Sequence, residues 1–322
     1  MLFSTVKPMH IPDGFLSVTV SILFWIISIL VIGIALRKVK NELGDREVPL
    51  MGVLAAAIFA GQMLNFSVTG GTSGHLLGAA IATILLGPWA AVLVMTSVVS
   101  VQALLFQDGG ILALGANIFN MGVVGVFVSY SVFSLLKKAI GKTSWGLIIS
   151  GFAAAWTSIF IASLSCALQL ALSGTSPANI AIPAMGAIHA LIGVGEGLIT
   201  VGAMAFLYAA RKDLLETSQK TTVSNKGILV FGGLITLILA VLSPLASGNP
   251  DGLEWVAEQQ GFLETARSAF YNIMPDYVMP GISNPTMATI MAGVLGATIV
   301  FVIAFSIAKA EKRLPIREEI GE

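Results

Sequence analysis

Charge is scarce in this sequence. Of 322 residues, 17 are Lys or Arg and 17 are Asp or Glu, 11% in all. A soluble domain carries roughly a quarter. The charges cancel to a formal net of zero, so no basic surface argues for nucleic acid. Cysteine is nearly missing: the single Cys166 excludes an intrachain disulfide and a cysteine metal cluster. It lies in an apolar run with no His or acid near it in sequence, and reads as a small packing side chain. Histidine is confined to His10, His75 and His189. The start lacks the pattern of a cleaved signal peptide. Lys7 precedes only Pro8, Met9, His10 and Pro12, and the first long apolar run begins after Asp13.

What is abundant is apolar sequence. Hydrophobic residues make up 56% of the chain and the mean hydropathy is +0.91. The apolar runs are Phe15–Leu36, Val48–Val68, Leu76–Phe106, Ile111–Leu136, Gly146–Leu172, Ile180–Ala209, Gly227–Leu245 and Pro285–Ala308. A membrane helix needs about 20 residues, so the chain is expected to be an all-α, polytopic membrane helix bundle in contact with lipid. Leu76–Phe106 is too long for one simple span and contains the turn dipeptide Gly87-Pro88.

Basic residues set the topology, because Lys and Arg concentrate in cytoplasmic loops. They cluster at Arg37, Lys38, Lys40 and Arg46, at Lys137, Lys138 and Lys142, at Arg211, Lys212, Lys220 and Lys226, and at Lys309, Lys312, Arg313 and Arg317. All these clusters share one side only if Leu76–Phe106 goes in and returns. That gives about nine crossings, with the N-terminus outside and the C-terminus inside. A polar stretch from Ala246 to Ser283, with Asp251, Glu254, Glu258, Glu264 and Asp276, then lies outside. The Ser/Thr/Lys-rich segment 211–226 is the natural boundary between a first unit, 1–210, and an appended module, 227–322. No internal repeat is evident, which weighs against inverted-repeat transporter folds.

Ionisable groups within membrane spans are rare and tend to be functional. His10 and His75 both fall at the outer face. His75 ends the glycine-rich stretch Gly70-Gly71-Thr72-Ser73-Gly74 and is expected to start a short helix. Two imidazoles at one face suit a divalent transition metal; hydrogen-bonded interfacial rings are the plainer reading. His189 and Glu196, seven residues apart, share a helix face. They form either an ion path or a buried hydrogen-bonded pair that fixes packing, and packing is the preferred reading. Asn117 and Asn120 need partners inside a membrane and are expected to bond a nearby loop. Gly141-Lys142-Thr143 is no phosphate-binding loop, since Leu136 stands where the earlier glycine is required. There is no HExxH helix and no nucleophile beside a base, so enzyme chemistry is not expected.

Several segments, in order, resemble a known family. They are Met9-His10-Ile11-Pro12-Asp13-Gly14-Phe15-Leu16, Gly71-Thr72-Ser73-Gly74-His75, Gln107-Asp108-Gly109-Gly110, Gly115-Ala116-Asn117-Ile118-Phe119-Asn120-Met121-Gly122, and His189 with Gly193, Glu196 and Gly197. They resemble the substrate-binding M components of energy-coupling factor nickel and cobalt transporters, the CbiM/NikM family. Asn249-Pro250-Asp251-Gly252-Leu253-Glu254 resembles the PDGLE domain of the small N component, here fused to the M component. The resemblance implies uptake of Ni(II) or Co(II) as cargo, no tightly bound cofactor, and two partners: a transmembrane coupling subunit and a cytoplasmic ATPase. It implies a square-planar site of four nitrogens: the amine of Met9, the backbone nitrogen and ring of His10, and the ring of His75. Asp13, Asn117, Asn120, His189 and Glu196 are supporting residues on this reading. Because Met1–Pro8 precede Met9, an amine ligand there requires the mature chain to begin at Met9. A proton-coupled secondary permease, with His189 and Glu196 as the relay, is the alternative. A vitamin cargo would need an aromatic pocket, which the segments around His10 and His75 do not provide. Nitrogen donors favour nickel over cobalt by intrinsic affinity, so affinity alone does not name the ion.

Overall fold

A computed structural model describes residues 10–40, 42–141, 143–210 and 225–313. Met9, most of the expected 211–226 boundary and the tail beyond Arg313 lie outside the described residues. The chain is a helical bundle. Helix α1 spans Val18–Val39 and opens at Ser17, whose hydroxyl accepts from Val20 N–H. Its Ile22, Ile26, Ile29 and Leu30 are exposed on the outside of the bundle. Such residues along a helix belong against lipid. Helix α2, Glu47–Gln62, is nearly all buried at the centre. A short antiparallel hairpin follows, β1 Phe66–Val68 and β2 Thr72–Gly74, with Ser67 opposite Ser73.

The third apolar run is two helices, α3 Ala79–Leu86 and α4 Pro88–Val101. Gly87 takes φ +80°, a conformation open to glycine, and Pro88 opens α4 at its first position, where its missing N–H costs nothing. Helix α4 runs on through a π-helical turn, Gln102–Phe106. Helix α5, Leu114–Asn117, continues through a second π-helical stretch, Ile118–Val124, into α6, Gly125–Ile140. Then come α7, Ser144–Leu172, and α8, Ala178–Ala210, packed along each other. In the appended module α9, Asn225–Leu242, and α11, Pro285–Arg313, both pack on α2, and the short α10, Gly252–Gln259, lies between them in sequence.

Contacts between distant segments tie each end of the bundle. At one end Lys40 pairs with Glu311 at 3.6 Å and Lys312 bonds Asp45, which brings the close of α11 against the α1–α2 turn. The Gly87 turn lies at this end too, beside Glu42. The chain therefore reverses inside Leu76–Phe106. At the other end, backbone β-bridges pair Asp13 with Arg267 and Ser73 with Asp251. Among the described residues, seven helices are long and apolar enough to cross a membrane. The count of nine needs α2, with 16 residues, and α3, with 8, to cross as well. A reporter inserted beside Glu258 is expected to be external and one fused after Glu322 cytoplasmic; a cytoplasmic signal at Glu258 contradicts this path.

Candidate metal centre

The segment that precedes α1 is laid across one end of the bundle by a set of backbone bonds. Asn117 holds Ile11 from both sides: its Oδ1 accepts from Ile11 N–H and its Nδ2 donates to Ile11 C=O, each at 3.0 Å. Gly110 N–H donates to the same carbonyl at 2.9 Å. Asp13 accepts from Ile111 N–H at 3.1 Å and Ala113 N–H at 3.0 Å, where its charge meets the unpaired amides ahead of α5. Thr175 hydroxyl donates to Phe15 C=O at 2.5 Å. Asp13 and Asn117 thus anchor the N-terminal segment.

That anchoring buries His10, which is 5% exposed. Its Nδ1 lies 2.7 Å from Asp108 Oδ1, and Tyr277 hydroxyl donates to Asp108 Oδ2 at 2.5 Å. Burial alone lowers the His10 pKa, but the Asp108 carboxylate more than offsets it and the pKa is raised. For Asp108 burial works upward and is outweighed, mainly by His10, so its carboxyl is held below the usual range. Tyr277 reaches Asp108 from a backbone turned to φ +57°, rare for a bulky residue, and its ring stacks on Phe106 at 4.7 Å. With Nδ1 on Asp108, the other ring nitrogen, Nε2, is buried without a hydrogen-bond partner.

His75 follows β2 directly, four residues ahead of α3, so it belongs to an extended segment and not to a helix start as expected. Here the hairpin pairing of β2 sets the backbone, and helix begins only after Gly78. Its Nδ1–H donates to Leu76 C=O at 3.0 Å. A carbonyl only accepts, so this bond fixes the proton on Nδ1 and the lone pair on Nε2. The His10 and His75 rings approach to 5.4 Å between centroids, at 64°. That separation falls within the span of two imidazoles on one ion at metal–nitrogen bonds of about 2.0–2.1 Å. Glu196 holds the His75 segment, accepting from Leu77 N–H at 2.7 Å and Gly78 N–H at 3.0 Å. Gln62 donates to Leu77 C=O at 2.8 Å and accepts from Gln102 at 2.9 Å.

His189 does not bond Glu196. Its Nδ1–H donates to Met185 C=O at 2.8 Å, within its own helix. Sharing a helix face brought neither to the other, because each found a backbone partner first. Asn120 likewise bonds no loop: it exchanges bonds with Gln169 at 2.9 and 2.7 Å and accepts from Ser165 at 2.7 Å, both on α7. It fixes α7 against the second π-helical stretch.

His10, His75 and His189 border one chamber of about 90 Å³, shared with Asn117, Asn120, Cys166, Met185 and Asp251. Among the described residues no three His, Cys, Asp or Glu side chains group tightly enough to hold an ion. A site here needs more than side chains of those kinds, such as backbone nitrogen or an amine. The position of the His10 ring bears on that set. A chelate that includes the backbone nitrogen of His10 closes a six-membered ring only through Nδ1. In this structure Nδ1 faces Asp108 and Nε2 is the unpartnered donor.

Asp108, Tyr277 and Asp251 were not picked out from sequence as site residues. For Asp108 a signal existed: an acid in a glycine-rich turn, Gln107-Asp108-Gly109-Gly110, on the same face as His10.

Fold and site together define a polytopic membrane protein with a histidine-bordered chamber at one end. Residues 10–214 match the CbiM family, described as a cobalt uptake substrate-specific transmembrane region, and residues 226–313 match the PDGLE domain. The chain is 37% identical to a putative fused nickel transport protein NikMN of Archaeoglobus fulgidus, over 94% of this chain and 98% of that one. It is 33% identical to a fused nickel transport protein NikMN of Rhodobacter capsulatus, over 78% and 76%. A cobalt transport protein CbiM of Sorangium cellulosum is 32% identical over 66% of this chain and 96% of its own length. A crystal structure of a transition metal transporter matches with TM-score 0.55 at 34% identity, covering 63% of this chain and 94% of that chain. This chain belongs to the CbiM family and carries a PDGLE domain; it is a multi-pass membrane component of metal transport.

Proposed function

We propose that the chain captures Ni(II) or Co(II) at the outer end of the bundle and serves as the substrate-binding component of an energy-coupling factor importer. The observation that supports this best is His10 Nε2, buried and unpartnered on a chamber that His75 also borders. An imidazole whose opposite nitrogen is held by a carboxylate is the usual arrangement of a metal-binding histidine. On this reading His10, through Nε2, and His75 supply ring nitrogens; for Met9 and the His10 backbone to complete a chelate, the His10 ring must first leave Asp108 and turn Nδ1 to the ion. Asp108 orients His10, Glu196 sets the backbone behind His75, and Asp13 and Asn117 hold the N-terminal segment in place. His189, its Nδ1 tied to Met185 C=O, supports the chamber. The relatives' names, nickel transport and cobalt transport, fit either ion.

A transmembrane coupling subunit and a cytoplasmic ATPase are the partners on this reading, and ATP is hydrolysed there. Glu196 spends both its oxygens on the His75 segment, which argues for positioning and against a proton relay with His189. Uptake of radioactive nickel by cells expressing the chain tests the proposal. Uptake is expected to require the two partner subunits and to stop when the ATPase is inactivated. Uptake by the chain alone, abolished by an uncoupler, would favour the proton-coupled permease.

A further inference from the structure

The motif Asn249-Pro250-Asp251-Gly252-Leu253-Glu254 of the appended module lies against the hairpin that leads to His75. Ser73 N–H donates to Pro250 C=O at 2.8 Å, Thr72 hydroxyl to the same carbonyl at 3.1 Å, and Ser73 hydroxyl to Asn249 C=O at 2.9 Å. Proline contributes only its carbonyl here, and only the carbonyl is used. This pairing delivers the next residue, Asp251, to the wall of the His10–His75 chamber, where it is 4% exposed. Gly252 permits the close approach: a Cβ there would stand 2.8 Å from His189 Cε1 and from Ile192 Cδ1. Asp251 Oδ1 accepts from Glu254 N–H at 2.7 Å and so caps α10. Burial pushes its carboxyl pKa up to about 8, with the His10 charge pulling the other way, and among the described residues no cation forms an ion pair with it.

We propose that Asp251 is a metal-site residue contributed by the appended module, its carboxylate meeting the charge of the captured divalent cation. This rests on the reading of the chamber as the metal site. Two neutral imidazoles bind a dication without cancelling its charge, and a buried charge left uncompensated is strongly disfavoured. Two acidic side chains are in place, one behind the chamber and one on its wall. Asp108 stands behind His10, already engaged by that ring and by Tyr277. Asp251 is the other; ionised beside the cation, it and Asp108 would together balance the ion's two charges. The module then completes the site and covers it, because the same pairing of Pro250 with Ser73 that brings in the carboxylate closes the hairpin side of the chamber.

The test is nickel titration, by calorimetry, of the full chain in lipid nanodiscs, comparing wild type with Asp251→Asn and His75→Ala. Asparagine caps a helix about as well as aspartate, so the first change removes charge and keeps the cap. Asp251→Asn is expected to weaken nickel binding at least tenfold, with hydrogen exchange at the Glu254 amide unchanged. Wild-type affinity in Asp251→Asn, with binding lost in His75→Ala, overturns the proposal and leaves the metal site standing. Loss of affinity together with loss of protection at Glu254 also overturns it, by making Asp251 a helix cap alone. Equal affinity in wild type and His75→Ala removes the metal site itself, and the role of Asp251 with it.

Discussion

Nickel or cobalt binding is expected to vanish from a titration of the His75→Ala chain, or to weaken by more than about a hundredfold. That exceeds the 10–100-fold typical when only an outer partner of a metal ligand is lost. The fold should survive. His75 is half-buried, and the bonds that hold its segment are made by its neighbours: Leu77 and Gly78 to Glu196, Leu77 to Gln62, and Ser73 to Pro250. The same change at His189 should cost less, about tenfold, since its ring is tied to its own helix and it acts as a supporting residue. Calorimetry with thermal unfolding on the same samples separates the two effects. Wild-type affinity in His75→Ala would make that ring an interfacial residue only.

Asp108→Asn is the second large effect, and it also distinguishes two ways of using His10. If the ion takes Nε2, Asp108 orients the ring and increases its basicity, and asparagine should weaken binding 10–100-fold. If the ion takes Nδ1 as part of a chelate with the backbone, the ring must first leave Asp108, and the substitution should cost little or strengthen binding. The pH dependence carries the same information. A protonated imidazole cannot bind metal. His10 has its pKa raised above 6.5, burial being outweighed by Asp108. Wild-type affinity should therefore fall as pH drops through that raised value. Without the Asp108 charge, burial dominates, the His10 pKa drops, and the midpoint of the pH profile should move to lower pH. A midpoint unchanged in Asp108→Asn contradicts the pairing as the cause.

The bundle was largely legible because its signal is local. Apolar runs of membrane length mark the helices, and the basic clusters require a reversal that Gly87-Pro88 then makes. The small hairpin was less so: Gly70-Gly71 announces a turn, but three-residue strands carry too few positions for a period to show. The π-helical turns at Gln102–Phe106 and Ile118–Val124 left no trace in composition. They depend on how a helix end is held from outside, as where Tyr271 hydroxyl donates to Leu104 C=O and Met274 N–H to Leu105 C=O. His10 and His75 stood out because histidine is so rare here. Their partners did not, because each bond spans a long stretch of chain: Asp108 is 98 residues from His10, and Glu196 is 119 from Leu77. The appended module posed the same difficulty. Its motif was recognisable, but that Pro250 would meet Ser73 and bring Asp251 to the chamber depends on how α9 and α11 seat against α2.

The central claim is that one ion sits between His10 and His75. X-ray absorption at the nickel edge, on the nickel-loaded full chain, reads the ligands directly. The account predicts a first shell of nitrogen and oxygen, with outer-shell scattering from two imidazoles that falls to one in His75→Ala. A first shell containing sulfur, from Cys166 or Met185 of the same chamber, or a spectrum without imidazole scattering, would contradict it.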